Sequence, residues 1–513
     1  MYLHIIRRRR DFLLASLAML LGVLLCKDCR AVDIERWKRF EASYRNTTWN
    51  GNPFDLEFKG IFASPSGRIL TQTGFYAGEN TWQLYFMPDE EGEWIYETDS
   101  SDPDLHGKVG RFSCTVSEIP GQLTPVGNRW QIRDNGGDFP IIWNPPVRDG
   151  AHWGFRGRNV SDPFVQEALQ FADETVGARL LGLSALLIAP IDWANDWPQS
   201  SVPYIREQEG EAFYLPFWDQ LNAKLDAARD RGMGAYIMLY SDDAQTPDHF
   251  GLKPYSQKEL RFFRYVIARL ACYPHVLWDS GIDIGEYRDR EWIDWYARWF
   301  NANDPWHHPV GSRTGGGSGG SIPDTGTYHS TGGANLPTRS ELLDLLFDHD
   351  IPIAHTDHWR PFIKRGNWTH DKIRSAHWSC GLSGSPAIYP DYNQGPVEYD
   401  EVLKGGHDIG HATHFFRNEL RSDLLDLEPH DELILSGDNA ILASSPEGEY
   451  VVYDEDGGSV GIDLSSVQGI LEVEWYNPRT GAQIKGESFN VDKMHTFTSP
   501  TSGEDWVLHL YVK

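Results

Sequence analysis

From Ile34 to about Pro120, apolar and polar positions alternate with a period of two, in DLEFKGIFASPSG, TWQLYFMPDEEGEWIYETD and GRFSCTVSEI, with Gly, Pro and Asp between the runs. Alternation over short runs bounded by turn residues predicts an antiparallel β-sandwich. From Gln122 the rhythm changes to a short apolar run followed by a helical stretch. Ile141–Trp143 precedes a helix from Pro163 to Val176, Ala185–Pro190 one from Phe217 to Arg231, and Ala235–Tyr240 one from Ser256 to Ala271. His275–Trp278 is the fourth strand, with a helix from Arg290 to Phe300. Pro309–Arg313 and Gly326–His329 are the fifth and sixth, the latter ahead of a helix from Arg339 to Phe347. Ile351–Thr356 is followed by a helix from Thr369 to Leu382, and Ser385–Tyr389 by a helical stretch from Tyr399 to Leu420. Eight such units in about 300 residues predict an α/β fold closed as a (β/α)8 TIM barrel. The weakest members are strands five and six, because the Gly/Ser-rich stretch after Arg313 also fits one long loop. After Pro429 the period returns to two and predicts a second sandwich.

The first residues carry a different pattern. Arg7–Arg10 form a basic segment, Phe12–Cys26 an apolar run short for a bilayer span, and Ala31 ends a cleavage-type site, so 1–31 reads as a signal peptide and the protein as exported, periplasmic or extracellular. Arg9–Leu14, RRDFLL, resembles a twin-arginine signal; a Sec signal is the other reading. The organisation expected is therefore leader 1–31, sandwich 32–120, barrel 121–430 and sandwich 431–513. The leader holds six Lys/Arg against two Asp, so its removal takes the formal charge from −28 to −32. So acidic a surface repels nucleic acid, and no basic run follows the leader. Beyond the leader, Cys114, Cys272 and Cys380 lie far apart and show neither a disulfide framework nor zinc spacing.

Two strand ends carry the candidate chemistry. In His275–Tyr287, HVLWDSGIDIGEY, the apolar run breaks into acids and glycines, and Asp279, Asp283 and Glu286 are expected at the mouth because unpaired carboxylates are not buried. Ile351–Pro361, IPIAHTDHWRP, repeats the break, with Asp357 between His355 and His358. Other strand ends supply His152 and Trp153, Asp192 and Trp193, Asp242, Arg313, His329 and Tyr389, which with His355, His358 and Trp359 make a polar, aromatic mouth suited to a hydroxylated ring. The local basic run His355, His358, Arg360, Lys364, Arg365 points to a uronate or sulfate on the substrate, or to pairing with neighbouring acids. His407, His411 and His414 share one helix face at a spacing that suits zinc, but HDIGH lacks the glutamate of HExxH and three glycines weaken the helix, so packing is the expected role and no metal or cofactor is expected.

The segment WKRFEASYRNTTWNGNPFD, then FMPDEEGEWIYET and KVGRFSCTV, resembles the small sandwich that precedes many bacterial glycosidase barrels. WYNPRTGAQIKG followed by FNVDKMHTFTSPTSGEDWVLHL resembles the collagen-binding-type domain found behind them. With KIRSAHWSCGLSGSPAIY and FFRNELRSDLLDLEP, nearly the whole chain after the leader resembles the apiosidase-like (β/α)8 glycoside hydrolases. That resemblance implies an acid/base carboxylate at Asp283, in the pattern Trp278 to Asp283, with Ile282 where the clan often has asparagine. It also implies a nucleophile at Asp357, where the family usually has Glu. A shorter arm draws the carboxylate back by roughly 1 Å, which leaves room for a water, so inversion or loss of activity stands as an expectation beside the retention that the resemblance implies. The expected function is a secreted glycoside hydrolase whose partner is a carbohydrate, without stable membrane insertion. The alternative, motivated by Ile282 and Asp357, is a catalytically inactive carbohydrate-binding protein on the same scaffold; a third, an adhesive collagen binder, rests on the C-terminal resemblance alone.

Overall fold

The computed structural model describes residues 32–143, 158–183, 212–240, 246–281, 283–313, 322–331, 338–356, 369–384, 387–388, 399–491 and 494–513. The leader read at 1–31 lies outside the described residues. None of the described helices is long and apolar enough to cross a membrane.

The period-two segments form antiparallel sheets at both ends of the chain. In the N-terminal part a five-stranded sheet faces a three-stranded one; one strand pair of the larger sheet, at Val32–Glu35, is parallel. Phe62 stacks on Phe86 with centroids 3.7 Å apart. The C-terminal part has a large sheet and a three-stranded sheet around their own core of Leu442, Val452, Val460, Leu471, Leu508 and Leu510.

Between them lie eight short parallel strands in two sheets. Five pair in order: β1 (Ile142–Trp143), β2 (Leu180–Leu183), β3 (Gly234–Tyr240), β4 (Val276–Gly281) and β5 (Val310–Gly311); three more pair in the second sheet, β6 (His329–Thr331), β7 (Ile353–His355) and β8 (Ala387–Ile388). The sheets meet at one seam where the Thr327 N–H donates to the Val310 carbonyl at 2.9 Å, and at the other β8 lies against β1. β3 and β4 are buried along their whole length, as parallel strands covered on both faces are. The covering helices are α1 (Pro163–Phe171), α2 (Leu215–Arg229), α3 (Gln257–Leu270), α4 (Arg290–Asn303), α5 (Arg339–His349), α6 (His370–Gly384) and α7 (Tyr399–His414).

Their starts are written locally. Asp162 accepts the Phe164 N–H ahead of Pro163, the Ser256 hydroxyl accepts the Glu259 N–H, Asp289 accepts the Trp292 N–H, and Thr338 with Glu341 closes a capping box. Two strand assignments differ from the sequence reading. The second strand is Leu180–Leu183, not Ala185–Pro190, which lies outside the described residues; LLGL pairs in register with Gly234–Ile237 directly after the α1 turn. The sixth begins at His329 instead of ending there, because Thr327 is held to β5 and pairing with β7 starts at His329 with Ile353.

A hairpin, Leu123–Val126 with Arg129–Ile132, precedes β1. The Leu123 N–H donates to His275 Nδ1 just before β4, and Trp130 Nε1 donates to the carbonyl of Ile353, the first residue of β7. The hairpin therefore covers the N-terminal ends of β4 and β7. Paired charges dock the flanking sheets: Arg39 grips Asp226 of α2, Arg261 of α3 grips Asp55, and Arg339 of α5 grips Asp431, each as a fork on a carboxylate. Trp378 of α6 stacks on Tyr453 at 5.8 Å.

Candidate active site

The site is built at the ends of β4, β5 and β7. β4 ends at Gly281 with φ 149°, and a Cβ there would stand 2.6 Å from the Tyr240 carbonyl oxygen, so the close approach of β3 requires glycine. Gly281→Ala is expected to cost about 1–3 kcal/mol and to displace the turn that carries Asp283, seen as a lower midpoint in thermal denaturation. Two residues on, Asp283 sits in the left-handed region at φ 43° and ψ 42°, uncommon for a residue with a side chain. It occupies the cap position of the short turn Ile284–Glu286 yet its side chain makes no capping bond. Its Oδ1 is buried and has no hydrogen-bond partner among the described residues. A buried carboxylate oxygen without a donor is costly, and such groups concentrate where function requires them. Glu286, three residues on, is exposed.

Asp279 departs from the expectation that it would sit at the mouth. It is fully buried inside, and the physical reason is that it is paired. Its Oδ1 accepts the N–H groups of Gly281 and Arg313, at 3.1 and 3.2 Å, and its Oδ2 accepts the Tyr328 hydroxyl at 3.3 Å. Burial first, and then the Asp279 charge, push the hydroxyls of Tyr236, Tyr296 and Tyr328 well above the usual tyrosine range, so they remain protonated donors. Ser280 and Ser312 tie the ends of β4 and β5 with hydroxyls 2.5 Å apart.

Arg313 also differs from its expected place in a solvent-facing mouth. Only 2 % exposed, it donates from Nη1 to the Thr356 carbonyl at 3.0 Å, and its own carbonyl accepts the Ile284 N–H at 3.3 Å. Thr356, which the sequence reading passed over, is pinned further, its N–H to the Thr331 carbonyl and its hydroxyl to Ser330. His355 is buried with Nδ1 3.0 Å from the Thr331 hydroxyl at the paired end of β6 and β7. His329 lies at the start of β6, its ring edge-on to His349 at the end of α5, away from the strand end where it was expected. The structure thus brings Asp283 and Glu286 to the end of β4, Arg313 to the end of β5 and His355 to the end of β7. Asp357, His152, Trp153, Asp192, Trp193, Asp242, His358, Trp359 and Tyr389 lie outside the described residues.

The histidine row on α7 is divided among separate contacts. His407 meets the Phe171 ring, His411 packs beside Gly481, and His414 bonds Glu419 and Asn418. Gly410, which weakens the helix in isolation, lets α7 approach Thr175, whose carbonyl would stand 1.8 Å from a Cβ. Among the described residues no group of three His, Cys, Asp or Glu is placed to hold a metal ion.

Residues 33–101 match the family model described as "Domain of unknown function (DUF5060)", and residues 429–511 match "Putative collagen-binding domain of a collagenase". No curated protein matches the chain. Among solved structures, a "putative glycoside hydrolase" from Bacteroides vulgatus superposes with a TM-score of 0.76 at 17% identity, over 94% of this chain and 99% of its own. A glycoside hydrolase family 5 protein from the same organism gives 0.60 at 15% identity, over 77% of this chain and 95% of its own. A further glycoside hydrolase gives 0.61 at 14%, over 77% of this chain and 99% of its own. Likeness at such identities is one of fold, which many chemistries share.

Proposed function

We propose that this protein is an exported glycoside hydrolase of the apiosidase-like kind, a (β/α)8 barrel spanning 121–430 between sandwiches at 32–120 and 431–513. The observation that carries the reading is Asp283: a carboxylate just past β4, held in a left-handed turn with a buried oxygen that has no donor among the described residues. Its proposed role is to protonate the leaving glycosidic oxygen and afterwards to deprotonate water. Asp357 is proposed as its counterpart, attacking the anomeric carbon or activating water. Carboxyls about 5–5.5 Å apart retain configuration and about 6.5–9.5 Å apart invert it. The likeness in fold to glycoside hydrolases supports the class, and the basic run from His355 to Arg365 supports a substrate bearing uronate or sulfate.

A screen of polysaccharides and p-nitrophenyl glycosides with product analysis tests the reading. Hydrolysis lost in both Asp283→Asn and Asp357→Asn is the expected result. Glycan binding without cleavage by the wild type, unaffected by either variant, would replace it with the inactive carbohydrate-binding protein that the Ile282 and Asp357 departures favour. Because the mechanism needs two carboxyls and no Lewis acid, dialysis against a strong chelator is expected to leave turnover unchanged. Loss of activity restored by zinc would overturn that expectation.

A further inference from the structure

Arg313 touches the structure at three points between β4 and the end of β7. Its backbone N–H is fixed by buried Asp279 of β4. Its backbone carbonyl receives the N–H of Ile284, the neighbour of Asp283. Its guanidinium reaches past the end of β6 and donates to the carbonyl of Thr356, the neighbour of Asp357. Thr356 is in turn held by Thr331 and Ser330, so the guanidinium grips a strand end that is already ordered. With the side chain buried, these bonds stand in a setting where polar contacts are strong and their loss expensive.

We infer that Arg313 is a positioning residue that ties the turn carrying Asp283 to the end of β7 and thereby fixes where the Asp283 carboxyl stands against that strand end. The inference rests on the two-carboxylate reading for its consequence, but the tie itself is independent of it. Arginine suits the task because its planar fork reaches far and presents several donors in fixed geometry, where a lysine offers a flexible point charge.

Two variants of the full chain test it. Arg313→Met keeps length and an apolar stem but removes the donors; Arg313→Lys keeps the charge. Hydrogen–deuterium exchange is expected to quicken about tenfold in peptides covering 353–356 in Arg313→Met, with the N-terminal and C-terminal sheets unchanged. On whichever p-nitrophenyl glycoside the wild type cleaves, kcat is expected to fall about 100-fold in Arg313→Met with KM within about twofold, and Arg313→Lys to recover part of the loss. Unchanged exchange at 353–356 overturns the inference whatever the activity. A raised KM at unchanged kcat also overturns it, in favour of direct contact with substrate. Should Arg313→Met fail to fold, the same readouts on Arg313→Lys decide, because its ammonium sits on a shorter, flexible stem and cannot hold the Thr356 carbonyl as the rigid guanidinium does. If the wild type cleaves no glycoside, the two-carboxylate reading fails, while exchange still decides whether Arg313 holds the strand end.

Discussion

Asp283→Asn is expected to lower turnover by roughly 100- to 10,000-fold with the fold intact, because an amide keeps the shape of the carboxyl but cannot give or take the proton. Stability should hold or rise slightly. Asn adopts the left-handed conformation at least as readily as Asp, and the carboxylate oxygen that it replaces has no donor to lose among the described residues. Paired measurements of kcat and melting midpoint separate the two effects. Full activity in Asp283→Asn would move the acid/base role to Glu286, exposed three residues on in the same turn.

The second large effect concerns stability. Asp138, buried below β1, accepts Arg179 Nε at 3.0 Å and Arg417 Nε at 2.8 Å, and so joins the approach to β2 with the turn that ends α7. Asp138→Ala leaves two largely buried guanidiniums facing each other without their shared anion. Removing one partner from such a pair costs about 3–5 kcal/mol. Calorimetry should show the loss in the main unfolding transition. The same group makes stability depend on pH. Burial alone would raise the Asp138 carboxyl, but Arg179 and Arg417 outweigh it and hold it well below the usual carboxylate range. A depressed pKa contributes stability that is present above the unfolded value and lost as pH falls toward the folded one. The wild type should therefore lose this contribution progressively below about pH 4, and Asp138→Ala should flatten that part of the profile. An unchanged profile in the variant would show that the Arg179–Asp138–Arg417 cluster does not govern acid stability.

The parts of this molecule that depend on neighbours in sequence were legible from the chain. Caps at Asp162, Ser256, Asp289 and Thr338 lie within three residues of the N–H groups they satisfy, and α1, α4 and α5 begin at Pro163, Arg290 and Arg339, where the apolar spacing along the chain places them. The period-two segments became antiparallel sheets for the same local reason, since side-chain alternation is a property of the strand itself. Short strands were less legible, because LLGL and HST have too few residues to show a period and only pairing with β3 and β7 marks them. The acid at Asp283 was visible as a break in an apolar run, but not its left-handed backbone or the buried oxygen that has no donor among the described residues. Asp279 was misplaced at the mouth because its donors are Arg313 and Tyr328, distant in sequence, and burial of a charge depends on partners that only the folded chain assembles. Residue types and spacing determined which groups this protein has for chemistry; tertiary structure alone decided that Asp279 and Arg313 are interior while Asp283 stands half-buried just past β4, because whether a charge is solvated or paired is settled by what packs around it.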